Sequence, residues 1–328
     1  MKESDIRPAE LLAKFFAFLA KDAKRLARKA RHFVEVPCPF CCSISTAGTF
    51  IKQGFEYREC DECGSLYMSP RPTAPMLRDY VLQSEAIRFW STHFYPSTAA
   101  KRREKIFRPR AQYISDLAEG IPHPRLIDVG AGYGLFLSEV RATGRFASLA
   151  GIEPDSRLAA SCREQGFEIA EVMVEDFTNE LAPADVVTAF EVLEHVADPE
   201  AFVVSCSRLV KPGGLVVLTT LAASGFDIKV LRERSRSVSP PQHLNFPSVR
   251  SLRVLFERLG VELVELETPG ELDVEIVRND VRSSPDLEIP PFIRTIVNGD
   301  DELRMAFQRF LQCHRLSSHV RVVGRRPL

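Results

Sequence analysis

The chain has 328 residues, long enough for one large domain with appendages or for two domains. Its 45% hydrophobic content allows a sizeable core, and a formal net charge of -1 gives no reason to expect nucleic acid as a partner. No apolar run approaches the roughly 18–20 residues of a membrane span. The first residues carry acids, a lysine interrupts the apolar part and no small-residue cleavage site follows, so the start does not read as a signal peptide and a cytoplasmic enzyme is expected.

In chain order, segment 1–35 holds an amphipathic basic helix over 9–33. Leu11, Leu12, Phe15, Phe16, Leu19, Leu26 and Phe33 lie roughly on one side, with Lys14, Lys21, Lys24, Arg25, Arg28, Lys29 and Arg31 elsewhere. Its apolar face is expected to dock on this protein or a partner protein; the alternative is a basic helix lying on an anionic membrane surface. Segment 36–72 is a cysteine module. Segment 73–118 reads as broken helix, a linker or lid, around "RFWSTHFYPSTAAKRREKIFRPR". There Trp90, Phe94 and Tyr95 stand ready to cover a cleft, and Arg102, Arg103, Arg108 and Arg110 to take a phosphate or carboxylate. A solvated helical face explains those charges equally well.

From Arg125 strands and helices alternate: "RLIDV", "GLFLSEVRAT", "ASLAGIE", "DSRLAASCREQ", "FEIAEV", "ADVVTAFEV", "PEAFVVSCSRLV", "GGLVVLTTL". Such a βαβ succession calls for a parallel sheet with helices on both faces. Residues 222–242 are polar, contain Pro240-Pro241 and read as a loop. Then come the helix "SVRSLRVLFERL", the strand "GVELVELE", an insertion at about 270–318 with the helix "DELRMAFQRFLQCHRL", and the strand "HVRVVGRR". Segment 119–328 is thus one α/β domain.

Five of the eight cysteines fall between Cys38 and Cys63, which in a reducing compartment points to metal rather than disulfides. Cys38-Pro-Phe-Cys41 and Cys60-Asp-Glu-Cys63 are paired C-x-x-C knuckles, and four thiolates so placed close a tetrahedral zinc site. With no open position the metal is structural, and it contributes folding free energy to a module with little core of its own. Cys42 is the odd one; its adjacency to Cys41 argues against its being the fourth ligand and leaves it only as a substitute. Cys162, Cys206 and Cys313 lie in helical patterns and are expected in the core.

"LIDVGAGYG" puts Gly130, Gly132 and Gly134 after a strand and before a helix, a turn that lets a ligand approach the backbone. The dinucleotide fingerprint G-x-G-x-x-G fits poorly, because Leu135 stands three after Gly132. Asp128 is a carboxylate aimed at the ligand space, able to accept from an ammonium group. Glu153, in "GIEPDS", ends the second strand, where an acid takes both hydroxyls of a ribose. In "VEDF", Asp176 and Phe177 follow the third strand, where a carboxylate accepts from an adenine amino group. Three acids with no basic residue in the glycine loop suit a nucleoside-like ligand without phosphates.

"LIDVGAGYG", "GIEP", "VEDF", "FEVLEHVADPEAF" and "LVKPGGLVVLTTL" together resemble the class I S-adenosylmethionine-dependent methyltransferases, in order and spacing. The resemblance implies a Rossmann-like doubly wound seven-stranded sheet with the last strand, "HVRVV", antiparallel. It implies that Asp128, Gly130 and Gly132 line the methionine end of S-adenosylmethionine, Glu153 its ribose, and Asp176 and Phe177 its adenine, with "FEVLEH" over the methyl, so that Phe190 and Glu191 join the cofactor-binding set. A zinc ribbon ahead of this fold is similar to a subset of bacterial methyltransferases that includes sugar C-methyltransferases acting on nucleotide-linked deoxysugars, which implies a small-molecule acceptor of that kind.

Methyl transfer from a sulfonium is an in-line displacement that needs an aligned, deprotonated nucleophile. Histidine is the natural base near neutral pH. His195, in "EVLEHV", and His243, in "PPQHLNF", both follow strands at the edge where ligands bind in open α/β sheets, with His243 the first choice as base. The sugar C-methyltransferases usually carry a Glu-His pair in this loop, and here it is Gln242-His243, a departure that counts against the carbon-acid mechanism. Glu191, Glu194 and His195 match the "E-x-x-E-H" stretch of O-methyltransferases in which the acids hold a divalent metal acting as a Lewis acid. The plainer reading is cofactor lining and helix-start charge. O-methylation of a lipid or polyketide-like hydroxyl is the alternative reaction, and a non-catalytic or protein-modifying interaction module the alternative of another class.

Overall fold

Eleven strands are distinguished in the computed structural model, which describes residues 2–178, 181–284 and 286–328. They are β1 (Thr46–Lys52), β2 (Phe55–Cys60), β3 (Leu66–Met68), β4 (Arg125–Val129), β5 (Ser148–Ile152), β6 (Glu168–Ala170), β7 (Ala184–Phe190), β8 (Val210–Leu221), β9 (Asn245–Phe246), β10 (Glu262–Glu267) and β11 (His319–Arg325). Met1, in the expected N-terminal segment, and Pro285, in the expected insertion, lie outside the described residues.

Seven strands form one sheet in the order β10-β11-β8-β7-β4-β5-β6. The pairs β4–β5, β4–β7, β5–β6 and β7–β8 are parallel. The last strand runs the other way. Gly213 N–H donates to the Arg326 carbonyl and Ala222 N–H to that of Ser318, so β11 descends as β8 ascends. This is the Rossmann-like seven-stranded arrangement with its last strand antiparallel. β4, β5 and β7 bury most of their side chains and expose none, which is why "LIDV" and "VVTAF" read as largely apolar runs. Helices follow the strands at Leu135–Ala142, Ser156–Glu164 and Pro199–Arg208. The second is capped by Asp155, whose side chain accepts from Arg157 N–H and Leu158 N–H, and the third by Asp198, which accepts from Glu200 N–H and Ala201 N–H.

The chain divides into two compact units: Met1–Pro96 with Thr220–Leu252 and Leu266–Arg321, and Ser97–Thr219 with Arg253–Glu265 and Val322–Leu328. The core of the second gathers Ile114, Leu126, Phe136, Leu137, Val186, Val217 and Val323. In the first, β1, β2, β3 and β9 form an antiparallel sheet, β9 joining along β3 at Leu66–Phe246 and Tyr67–Asn245. Tyr57, Met68, Leu244 and Phe246 are fully buried beneath it.

The N-terminal helix runs Ala9–Ala27 rather than to residue 33. After Leu26 the cations Arg28, Lys29 and Arg31 follow with only alanines among them and no large apolar residue until Phe33, so little holds a further turn against the core, and Ala30–His32 tightens to a 3-10 turn. Its apolar face packs inside its own unit. Leu12, Phe15 and Leu19 are buried with Ala86 and Phe94, each such Leu or Phe contributing about 1.5–3 kcal/mol. Trp90, a candidate cleft cover, stacks on Phe94 at 4.3 Å and meets Phe15 at 5.1 Å, so these aromatics belong to that core.

Residues 222–242 are not all loop. Phe226–Leu231 is a helix with a 3-10 turn at Arg232–Arg234, held because Phe226 and Leu231 bury against Val274, Val277 and Leu311 of the insertion helices. The insertion holds helices Asp273–Ser283, Pro291–Asn298 and Asp301–Cys313. Cys162 and Cys206 are buried as expected, whereas Cys313 is exposed, since it closes its helix on the solvent side. No helix among the described residues is long and apolar enough to cross a membrane.

Candidate functional site

The glycine turn leaves β4 with Gly130 at φ 77°, in left-handed space, and a side chain there would drive a Cβ to 2.7 Å from Val192 Cγ2. Gly130 N–H donates to the Ile152 carbonyl at 2.8 Å, and Gly132 N–H to Glu153 Oε2 at 2.8 Å. Glu153 Oε1 accepts from Asp155 N–H at 2.9 Å. The acid at the end of β5 is thereby strapped to the turn at the end of β4. Burial, acting first, raises the Glu153 pKa above the ordinary carboxylate value, against the two backbone donors that lower it.

Asp128 is 4% exposed, and its Oδ1 accepts from Thr188 Oγ1 at 2.6 Å. The β4–β7 register sets these two residues side by side. Burial pushes its pKa up to about 7, opposed by the Thr188 hydroxyl and assisted by the neighbouring charge of Glu153. Asp176 is exposed at the end of a 3-10 turn, Val174–Asp176, that follows β6, and Phe177 beside it is half-buried.

Phe190 ends β7, its ring edge-on to Phe136 at 4.7 Å. Glu191 follows at φ 59°, a left-handed conformation that costs a side-chain-bearing residue about 1 kcal/mol or more. Three bonds hold it there: its N–H to the Thr219 carbonyl at 2.9 Å, and its Oε1 accepting from Thr219 Oγ1 at 2.7 Å and from Arg110 Nη2 at 2.8 Å. The Arg110 guanidinium also lies over the Phe190 ring at 4.9 Å. Of the four candidate arginines, Arg103 and Arg108 both pair with Glu139 at 3.2 Å, and Arg102 donates to Thr98. Arg110, by its contacts with Glu191 and Phe190, joins the predicted cofactor residues. Glu191 does not gather with Glu194 and His195 into a metal-ligand set, among the described residues, because its carboxylate is committed to Arg110 and Thr219. Glu194 is buried and His195 exposed in the turn after β7.

In the other unit, His243 is half-buried just before β9. Its Nδ1 lies 2.6 Å from the Ser237 carbonyl, which can only accept, so Nδ1 carries the proton and Nε2 is the basic nitrogen. Its own carbonyl accepts from the buried Tyr57 hydroxyl at 2.8 Å, and the Leu244 carbonyl next to it from Met68 N–H. The cysteine module therefore grips the histidine loop by its backbone. Sequence reasoning missed Thr188, Thr219 and Tyr57, whose roles exist only through strand pairing and packing.

The four module cysteines converge. Cys38 and Cys63 sulfurs are 3.5 Å apart, as are those of Cys41 and Cys60, and all four lie within 4.8 Å of one another. A tetrahedral zinc with sulfurs at about 2.3 Å needs edges of about 3.8 Å. The knuckles repeat one geometry. Cys42 N–H donates to the Cys38 carbonyl and Gly64 N–H to that of Cys60, each at 2.9 Å; Cys38 N–H and Cys60 N–H donate in turn to Ser43 and Ser65. The residue after each knuckle is left-handed, Gly64 at φ 73° and Cys42 at φ 63°. Cys42 is exposed and stands where the second knuckle has glycine, which accounts for the fifth cysteine without making it a ligand.

Residues 98–266 match the family described as "Methyltransferase domain", and the chain belongs to this family, the class I S-adenosylmethionine-dependent methyltransferase domain. Among curated relatives, the ubiquinone biosynthesis O-methyltransferase of Bordetella avium is 36% identical over 143 residues, covering 42% of this chain and 57% of that protein. The protein of the same name from Alkalilimnicola ehrlichii is 34% identical over 143 residues, covering 42% and 56%. The chain thus spans little more than half the length of the curated relatives it matches. Among solved structures, a chain of the Haloferax volcanii complex between the Trm112 methyltransferase activator and a methyltransferase is similar at TM-score 0.51 and 16% identity, covering 73% of this chain and 96% of its own. The plantazolicin methyltransferase BpumL, in complex with SAH, is similar at TM-score 0.50 and 11% identity, covering 77% and 94%. Both are likenesses of fold.

The site suits the cofactor of the family. Two buried carboxylates, open space around Gly132 where a Cβ would meet nothing within 4 Å, and no cation in the glycine turn fit a ligand carrying an ammonium group and a ribose without phosphates.

Proposed function

We propose that this protein transfers a methyl group from S-adenosylmethionine to a hydroxyl of a small, lipid-like or polyketide-like acceptor. The observation that carries the reading is the pair Asp128 and Glu153, buried at adjoining strand ends and bonded to the glycine turn and to β7. Asp128, Gly130 and Gly132 would hold the methionine end, Glu153 the ribose, Asp176 and Phe177 the adenine, and Phe190 and Glu191 the space beside the sulfonium. When bound, the cofactor supplies an electrophilic methyl. His243 Nε2 would take the proton of the acceptor hydroxyl, with the imidazole oriented by the Ser237 carbonyl. Cys38, Cys41, Cys60 and Cys63 would hold a structural zinc that keeps the histidine loop in place.

Oxygen is favoured over carbon as the acceptor atom on two grounds. The relatives are named O-methyltransferases. The loop carries Gln242 where the sugar C-methyltransferase pattern has glutamate. The nucleotide-linked sugar is accordingly the second choice. The test is labelled-methyl transfer to a panel of phenolic and lipid hydroxyl acceptors beside nucleotide-linked sugars, with the new bond located by NMR. A methyl found on carbon, or turnover confined to the sugars, overturns the O-methyl reading.

A further inference from the structure

The first unit contains a cavity of about 430 Å³, walled by the N-terminal helix and by the loop that leads to His243. Leu12, Phe16 and Leu19 of the N-terminal helix form one wall and Val238 another, while Lys52, at the end of β1, and Arg236 complete the lining. At the ~30 Å³ that a water occupies, the space takes on the order of a dozen heavy atoms, within the usual range for small-molecule sites.

Its two cations are not neutralised in place. Lys52 Nζ donates to the Ser235 carbonyl at 2.7 Å, a neutral partner. The acids that act on it from outside are Asp280, which is already paired with Arg234 at 3.1 Å, and Glu233, which is exposed. Arg236 is half-buried and forms no ion pair with a carboxylate among the described residues. Burial lowers the Lys52 pKa to about 8 against the attraction of Asp280 and Glu233, and the nearby Arg236 charge adds to the lowering. An apolar wall facing two cations is the pattern that recognises an amphiphile with one anionic head.

We propose that this cavity binds an amphiphilic anion, an alkyl or prenyl chain ending in a phosphate or carboxylate, with the chain along Leu12, Phe16 and Leu19 and the head between Lys52 and Arg236. The proposal does not rest on the methyl-transfer reading, since all its residues belong to the unit that lacks the glycine turn.

The test is calorimetric titration of the full chain with decyl phosphate, decanoate, decanol and inorganic phosphate, each below its aggregation threshold. A second readout is the emission of Trp90, the chain's single tryptophan, which touches Phe15 beside Phe16. One equivalent of decyl phosphate or decanoate should bind and shift the emission, and the tighter of the two identifies the head group. Decanol should bind at least tenfold more weakly, and inorganic phosphate not measurably. Lys52→Met with Arg236→Met should weaken the anion at least tenfold, and Phe16→Ser should weaken the whole series. Should the double variant misfold, Arg236→Met alone decides, because that side chain carries no ion pair the fold could lose. Equal affinity for decanol and decyl phosphate, an unchanged affinity in folded Arg236→Met, or no binding of either anion at 1 mM overturns the proposal.

Discussion

Replacing Asp128 by Asn separates a residue kept for binding from one kept for stability. Its pKa stands at about 7 against an ordinary 3.8, chiefly through burial. A displacement of about three pH units is worth about 4 kcal/mol. Because the folded pKa is raised, the associated stability is intact below pH 3.8, declines as pH rises, and is fully lost above about 7. Asn keeps an acceptor for Thr188 and never ionises, so at pH 8 Asp128→Asn should be more stable than the parent, with about 4 kcal/mol as the upper bound and a Tm raised by several degrees. Cofactor binding should move the opposite way. Losing a charge-assisted hydrogen bond to the ammonium group, worth about 1.5–3 kcal/mol, raises Kd about ten- to hundred-fold. With Asp128 in the proposed role, its proton leaves as the ammonium group binds. Kd should therefore weaken about tenfold per pH unit below 7 and be flat in the variant. Calorimetric titration with S-adenosylmethionine between pH 5 and 7.5, with scanning calorimetry of the free proteins at pH 8, reads both effects. A destabilised variant that binds the cofactor normally, or a parent whose Kd ignores pH, refutes the reasoning.

Cys42→Gly should raise stability by about 0.5–1 kcal/mol, since it relieves a left-handed residue at φ 63° without touching the four converging sulfurs; a lowered Tm in thermal denaturation counts against this. Purified protein should carry about one zinc per chain by elemental analysis. Chelation should expose Tyr57 and release β9, read as lost amide protection at Asn245 and Phe246 in hydrogen exchange, and unchanged protection after metal removal excludes a structural zinc. His243→Ala should lower kcat about 10²–10⁴-fold with cofactor Kd unchanged, and a variant that keeps more than a tenth of kcat removes His243 as the base.

Much of the methyltransferase unit was legible in the linear sequence because its signals are local. Buried parallel strands read as apolar runs and Gly130 marks a backbone that admits no Cβ; in the other unit, the convergence of four sulfurs was legible in the paired C-x-x-C knuckles. The break in the N-terminal helix after Ala27 and the helix at Phe226–Leu231 were less legible, because each depends on what packs against it rather than on its own pattern.

What only the tertiary structure decided is which distant residues share an environment. The parallel register of β4 and β7 brings Thr188 to Asp128, and packing alone commits Arg110 to Glu191 while Arg103 and Arg108 go to Glu139. The polar stretch after β8 returns to add β9 to the cysteine module's sheet, so that Tyr57 comes to hold the loop of His243. Strand and knuckle signals survive in a linear string because their physics spans a few residues. Pairing and burial do not, because they are energies of groups that meet only once the chain has folded.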